Sequence, residues 1–451
     1  MQDFYSFANF ADKYEYESMI EQPPKYIAVT KSVSEVLAPE SLEGIRKFQE
    51  EYPYWSTVKY KKVKGFDSPE AIWNALKQLR LSNQITVNPN YRIHFSMTNS
   101  MARLCHNFDM QFGGSWGSES LIPHDSRKIY LMNSVIDEAI SSSQMEGAST
   151  TRKVAKEMLR NKITPKDKSQ WMIYNNYQTI RFLSENLDQM MTPEFLLHIH
   201  SLMTYNTMDN PEDAGRFRWN DNVVVANSVT NEIVHTPPSF IEIPAAIDWF
   251  CRFANSNDIT VFIHPIIKGA ILHYFISYLH PFVDGNGRTA RAIFYWYLLK
   301  EGYWLTEYLS ISRIIYKSKA SYEKSFLQSE ADGNDIGYFI TYHLNALEKA
   351  FDELKAYIER KAAQKKDEVQ LLKIGGITKR QASILHMFIK DANQIVTAKD
   401  IAGRMLITQP TAKKDLSELV RLGLLTEIKL NKQKSGYIKG PDFDNTIDKV
   451  I

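Results

Sequence analysis

Cysteine is nearly absent: the 451 residues hold two, Cys105 and Cys251. Neither has a neighbour at metal-ligand spacing, and two thiols build no disulfide framework, so a reducing, cytoplasmic compartment is expected. No apolar run approaches the ~20 residues that a membrane span needs. The first residues, MQDFYSFANFADKYEYES, are acidic and aromatic, with no basic stretch leading into an apolar one. No signal peptide and no membrane partner are expected. Internal repeats and low-complexity tracts are also missing. The formal net charge is only +2, so the whole-chain balance selects neither nucleic acid nor membrane, and any basic surface must be local. What is there is an ordinary globular composition, 44% hydrophobic and 24% charged. The length exceeds one core and implies about two to four packing units.

Residues 1–95 read as a mostly helical N-terminal extension whose role is not legible. It holds an aromatic stretch, Tyr52-Pro53-Tyr54-Trp55, and a basic patch from Lys59 to Lys64. A helix is predicted from Pro69 to about residue 80, with Ser68 as its N-cap and Pro69 at the first helical position. Residues 96–355 carry helical periodicity, interrupted once. Two short β-branched runs, 222–225 and 232–235, flank the polar turn 226–231 and read as a hairpin within a helical domain. An amphipathic stretch at 338–374 turns highly charged at 359–368, so 356–375 reads as a helical linker. Residues 376–451 read as three short helices, a strand, a basic turn and a second strand. That order resembles a winged helix-turn-helix domain. The expected fold class is mainly α, with a hairpin in the helical core and this C-terminal domain.

The segment 264–300 carries the chemistry. The run 266–279, IIKGAILHYFISYL, is apolar at helical spacing and ends at His280; AIFYWYLL begins a second buried helix at Ala292. Pro281, Gly285 and Gly287 forbid a continuous helix, so a loop must join the two. Gly285, Asn286 and Gly287 at a helix start can turn backbone N–H groups toward an anion, with the helix dipole behind them. Arg288 and Arg291, three apart, share a helical face and offer donor forks to phosphate oxygens. Asp284 is a hard oxygen ligand suited to Mg²⁺. His280, at the opposite lip, can take a proton from an attacking hydroxyl. Farther on, Tyr322 is a candidate nucleobase contact. His264, His273 and His280 are not at metal-ligand spacing, and no H-E-x-x-H occurs, so metal-assisted hydrolysis fits poorly.

HPFVDGNGRTAR, residues 280–291, resembles the Fic family signature H-x-F-x-[D/E]-G-N-G-R-x-x-R at every defined position. The resemblance implies a Fic helical core and a nucleotidyl transferase that uses Mg²⁺ and ATP. His280 would deprotonate a Ser, Thr or Tyr hydroxyl of a target protein, this chain included, and AMP would be transferred to it. Asp284 would hold Mg²⁺, and Phe282 would anchor the loop. Gly285, Asn286, Gly287, Arg288, Thr289, Ala290 and Arg291 would form the nucleotide site. The hairpin at 222–235 would be the family's flap, with Val234, His235 and Thr236 facing an extended target segment.

Residues 142–147, SSQMEG, resemble the family's inhibitory motif [S/T]-x-x-x-E-[G/N], with Ser142 and Glu146 at its defined places. The segment 131–147 reads as a helix with Gly147 as its C-cap. The resemblance implies that Glu146 pairs with Arg291 and keeps the enzyme off. In the C-terminal domain Lys413 and Lys414, with Lys429, Lys432 and Lys434 around the turn, make DNA a candidate partner. A homodimer is a further candidate, as family members often dimerise. Two other readings stay open: a nucleotide-sensing, DNA-binding transcriptional regulator, and a Fic relative that transfers another phosphate-containing moiety.

Overall fold

The computed structural model describes residues 20–27, 38–113, 127–226, 230–256, 261–431 and 434–449. These residues are mainly helical, with three two-stranded antiparallel hairpins. They divide after Asp352 into two compact units. Among them no helix is long and apolar enough to cross a membrane. Both cysteines are free and buried.

The first unit opens with helices α1 (Pro39–Gln49), α2 (Trp55–Val58) and α3 (Pro69–Ser82), the hairpin β1 (Gln84–Asn88) and β2 (Ile93–Ser96), and α4 (Asn99–Phe108). Helix α3 starts as its sequence dictates: the Ser68 hydroxyl accepts from the Ala71 amide, and Pro69 stands where no amide is needed. A buried charge network ties this part to the rest of the unit. Arg80, 3% exposed, donates to Gln49, to the Pro53 carbonyl and to the Tyr338 hydroxyl, and lies 3.6 Å from Asp332 and Asp335. Lys77 reaches Asp332 at 2.9 Å, and the Tyr52 hydroxyl donates to Asp335 at 2.6 Å. Buried charges persist only when they are paired in this way.

The remaining helices of this unit are α5 (Arg127–Met145), α6 (Arg152–Arg160), α7 (Lys168–Ser184), α8 (Pro193–Thr204), α9 (Ile243–Asn255), α10 (Pro265–Leu279), α11 (Asn286–Lys300), α12 (Ile311–Lys317) and α13 (Lys319–Ala331). Helices α10 and α11 are buried on nearly every side and pack against each other. Helix α5 lies against α7 and α12, and its Val135 and Ala139 pack on Tyr295 and Leu299 of α11. The inhibitory candidate is thereby held beside the catalytic candidate by ordinary core packing.

The hairpin differs from its sequence expectation. Only Val225–Ala226 (β3) pairs with Ile233–His235 (β4), with an irregular register between them. Residues 222–224 are not paired strand. Val223 and Val224 are both buried, whereas successive strand residues point to opposite faces. Core packing, rather than a ladder, therefore fixes that part of the first run. Residues 227–229 of the turn lie outside the described residues.

Helix α14 (Gly337–Leu371) begins in the first unit, and Leu371 joins the second core. The second unit continues through α15 (Lys379–Lys390), α16 (Ala398–Met405), α17 (Gln409–Arg421), the hairpin β5 (Leu425–Lys429) and β6 (Ser435–Lys439), and α18 (Phe443–Ile447). Thr378 and Thr397 form capping boxes with Gln381 and Asp400, and Thr408 caps α17. Leu385, Phe388, Ile401, Leu416, Leu419 and Tyr437 share its core. Lys432 lies outside the described residues.

Candidate active site

The 280–291 loop is closed by its own side chains. The Asn286 amide accepts from the Phe282 backbone N–H at 3.0 Å and donates to the Phe282 carbonyl at 2.8 Å, and the residue is 2% exposed. Its side chain braces the loop. Phe282 is fully buried, stacked 3.7 Å from the His200 ring and 5.4 Å from Phe217. Gly285 adopts φ +84°, and a Cβ there would fall 2.7 Å from Thr204 and 3.2 Å from His200. Both the conformation and the space require glycine.

His200 and Arg218, which sequence reasoning missed, hold the loop from outside. The Gly215 N–H donates to His200 Nδ1 at 3.0 Å, so the ring proton sits on Nε2 and is given to the Asp284 carbonyl at 2.8 Å. Burial pushes the His200 imidazole down to about 4, which keeps this arrangement neutral. Arg218 donates through Nε to the His280 carbonyl at 3.0 Å and through Nη1 to Asp221 at 2.8 Å, and its amide donates to the Pro281 carbonyl at 2.8 Å. It also reaches the Pro238 carbonyl, so one guanidinium joins the loop to both ends of the hairpin.

His280 ends α10 in a left-handed conformation, φ +47°. Its Nδ1 lies 3.2 Å from the Ser277 carbonyl, which can only accept. The proton therefore sits on Nδ1, and the neutral ring keeps Nε2 as a bare lone pair, the form a general base requires. Burial and then the charge of His235 hold the ring down at about 4. His235 itself contacts two acceptors, Glu330 at 2.9 Å and the Tyr278 carbonyl at 2.6 Å. Those partners hold its imidazole above its ordinary range in spite of burial. Of the flap candidates, His235 is thus docked in the core, Val234 is half-buried in β4, and Thr236 is exposed.

Asp284 keeps a side chain about one-third exposed; it accepts from the Gly285 amide at 2.6 Å and pairs with Arg288 at 3.3 Å. Arg288 is 1% exposed and donates to the Met203 carbonyl, while its Nε finds no partner among the described residues. Thr289 and Ala290 are fully buried, and the Thr289 amide already bonds the Gly285 carbonyl. The Asn286, Gly287 and Arg288 amides belong to the first turn, where no preceding carbonyl of the helix can take them.

Ser142, Glu146 and Arg291 come together. Helix α5 ends at Met145, its carbonyl held by Lys319, and Gly147 turns the chain at φ +90°. Arg291, 4% exposed, donates Nε to the Ser142 hydroxyl at 2.9 Å, and Nη2 to the Ser142 carbonyl at 2.9 Å and to Glu146 at 2.8 Å. A Cβ on Gly287 would fall 2.3 Å from the Glu146 carboxylate, so that carboxylate lies directly against the first turn of α11. An anion already stands at the helix start, between its amides and Arg291. Tyr322 is buried and bonded to His273, so here it faces the core.

The Fic/DOC family model matches residues 190–298. Protein adenylyltransferase Fic of Drosophila erecta is 32% identical over 143 residues, which are 32% of this chain and 26% of that protein. The protein of the same name from Drosophila melanogaster gives the same figures. The chain therefore spans about a quarter of the length of the curated relatives it matches. A solved Fic family protein from Desulfovibrio desulfuricans G20 is 17% identical with a TM-score of 0.48, over 77% of this chain and 98% of that one. The loop from His280 to Arg291 thus belongs to a Fic/DOC-family domain carried by this chain at residues 190–298.

Proposed function

We propose that the chain is a protein adenylyltransferase, moving AMP from Mg-ATP to a Ser, Thr or Tyr hydroxyl of a protein, itself included, and held off by Glu146. The observation that carries this reading is the Glu146 carboxylate at Gly287 and Arg291, an acidic group in the place built for a phosphate.

In the proposed reaction His280 Nε2 takes the proton of the target hydroxyl. The hydroxyl oxygen attacks the α-phosphorus, the bond from that phosphorus to the bridging oxygen breaks, and pyrophosphate leaves with the electron pair. Positioning and charge do most of the work in such transfers. The first-turn amides of α11 and Arg291 would hold the polyphosphate. Arg288 donates to Asp284 and to the Met203 carbonyl, and would brace the cradle from there. Asp284, one partly exposed carboxylate beside the proposed phosphate cradle, fits Mg²⁺, which typically takes one or two carboxylates plus substrate oxygens. Bound there, Mg²⁺ would neutralise charge on the polyphosphate. While Glu146 occupies Arg291, the terminal phosphate cannot be seated.

The test is incubation of the Glu146→Gly chain with ATP labelled at the α- or the γ-phosphate. Label from the α-position alone, lost in Glu146→Gly/His280→Ala, is expected. Label from the γ-position would overturn the reading in favour of transfer of another phosphate group.

A second reading concerns the C-terminal unit, whose helices and hairpin follow the order of a winged helix. Both acidic residues of α17 are internally neutralised: Asp415 is buried and paired with Arg380, and Glu418 with Arg421. Lys413 and Lys414 are left exposed on that helix. This supports duplex DNA as a partner through phosphate contacts, tested by a salt-sensitive mobility shift.

A further inference from the structure

His235, in the hairpin strand β4, contacts two groups at once. Its Nδ1 lies 2.9 Å from a Glu330 carboxylate oxygen on α13, and its Nε2 lies 2.6 Å from the Tyr278 carbonyl in the last turn of α10. The residue is 6% exposed. A carbonyl only accepts, and so does an ionised carboxylate, whereas a neutral imidazole has a single N–H to give. The second nitrogen would then turn a lone pair on an acceptor, away from water. An imidazolium satisfies both. The proton belongs on the ring, because an imidazole holds a proton more tightly than a carboxylate, and the Glu330 side chain is 25% exposed.

The Tyr278 carbonyl is one of the last four of its helix, which no amide of that helix takes, and positive charge is favoured at that end. The titratable groups around the ring are Glu330 on α13, Tyr278 and His280 at the end of α10, and Arg218 ahead of the hairpin. Burial pushes the ring down and Arg218 adds to that, yet Glu330 and the Tyr278 carbonyl hold it above its ordinary range. The chain just past β4 is held a second time: the Pro238 carbonyl accepts from Arg218, whose Nε donates to the His280 carbonyl at 3.0 Å. Both holds therefore end on carbonyls at 278 and 280, in the segment that carries the candidate base.

We infer that His235 is a positioning residue, an imidazolium that clips β4 to α10 and α13 together and so sets where an acceptor segment laid along the hairpin presents its hydroxyl to His280. Loss of the ring proton leaves one N–H for two acceptors, and one side of the clip opens. Because the folded ring is held above its ordinary value, the clip survives as pH passes that value and opens only at the higher, folded one. The acceptor part of the inference rests on the transferase reading above; the ring proton and the fixed strand do not.

The test has two arms on the full chain. In the first, ¹⁵N-histidine spectra, assigned with His235→Asn, should show the ring more than half doubly protonated at pH ~6.5, the ordinary midpoint. Glu330→Gln should lower its midpoint, and should speed hydrogen exchange of the amides at 225–226 and 233–235 about tenfold at pH 7, the scale of one charge-assisted hydrogen bond. A mostly neutral ring at that pH, a midpoint indifferent to Glu330→Gln, or unchanged exchange overturns the clip. In the second arm, α-label incorporation from Mg-ATP into the chain itself is followed against pH in the Glu146→Gly background. Glu330→Gln should lower the rate at saturating ATP about tenfold at pH 7 and leave the KM for ATP unchanged. The alkaline fall in rate should follow the His235 midpoint in both chains. A fall that ignores that midpoint, or a loss shared by the KM for ATP, overturns the positioning role. Absence of α-label transfer by Glu146→Gly itself refutes the transferase reading, and the acceptor role with it, while the spectra and the exchange decide the clip independently.

Discussion

The two units handle charge in opposite ways. In the first, Arg288 and Arg291 are 1% and 4% exposed, and each is held by partners on other parts of the chain. In the second, Lys413 and Lys414 stand exposed on α17 while the acidic residues of that helix are paired away. A desolvated guanidinium with fixed partners can present one geometry, and that suits a single reacting phosphate. A solvated lysine has no fixed geometry and suits a repeating backbone charge. Burial of the charge, more than its sign, separates a reaction site from an attractive surface.

The largest effect should come from removing the base. In the Glu146→Gly background, His280→Ala should slow transfer of α-label about 10²–10⁴-fold with ATP affinity unchanged by calorimetry. A variant that keeps its rate would show that the buried ring is structural.

Acid should loosen the locked region next. His200 and His280, both about 4 when folded, His343 at about 3, and His273 well below its ordinary range all titrate lower than in the unfolded chain. The unfolded chain therefore binds more protons as pH falls through about 6.5, and stability is lost from there down to the folded values. Each such histidine contributes up to about 1.4 kcal/mol per pH unit; raised carboxyls at Glu138, Glu307 and Asp332 act in the opposite direction. Denaturant melts of His200→Gln should show this slope reduced by about one proton between pH 6 and pH 4.5. An unchanged slope would mean that His200 is not held neutral.

A smaller effect would sharpen the account of the loop. Gly287→Ala should destabilise the chain by about 1–3 kcal/mol through overpacking, because the new methyl meets the Glu146 carboxylate. Most of that cost should vanish in Glu146→Gly/Gly287→Ala, and a thermodynamic cycle of thermal melts measures the coupling. Independent, additive costs would remove Glu146 from the helix start. The smallest effect belongs to the loose charges: Lys413→Ala and Lys414→Ala should each lower the salt slope of DNA binding by about 1. An unchanged slope would argue for a protein partner instead.

The legible parts of the sequence were those specified locally. Pro281, Gly285 and Gly287 stop one buried helix and start another, Ser68 and Pro69 open α3, and Gly147 turns the chain just past the end of α5. Each is a property of a few adjacent residues. The illegible parts were long-range. His200 braces Asp284 from 84 residues away and Arg218 braces His280 from 62 away. Arg80 and Tyr52 key the N-terminal helices to Tyr338 and Asp335, 258 and 283 residues on. Periodicity says that a face is buried but not what it meets. A charged residue amid apolar ones, such as Arg218 in GRFRWN, was the available sign that a partner existed. Local pattern was also incomplete: Asn286 in the glycine loop reads as a ligand donor, and its amide in addition closes that loop. The adjacent valines Val223 and Val224 read as strand but are both buried.

The claim that a seated carboxylate holds back a nucleotidyl transferase is tested most directly by comparing wild type with Glu146→Gly. The measurement is the initial rate of α-label incorporation from Mg-ATP into the chain itself, at equal protein concentration. The account predicts a rise of roughly 10–100-fold, the equivalent of losing one charge-assisted contact of about 1.5–3 kcal/mol at Arg291. An equal or lower rate in Glu146→Gly would contradict it.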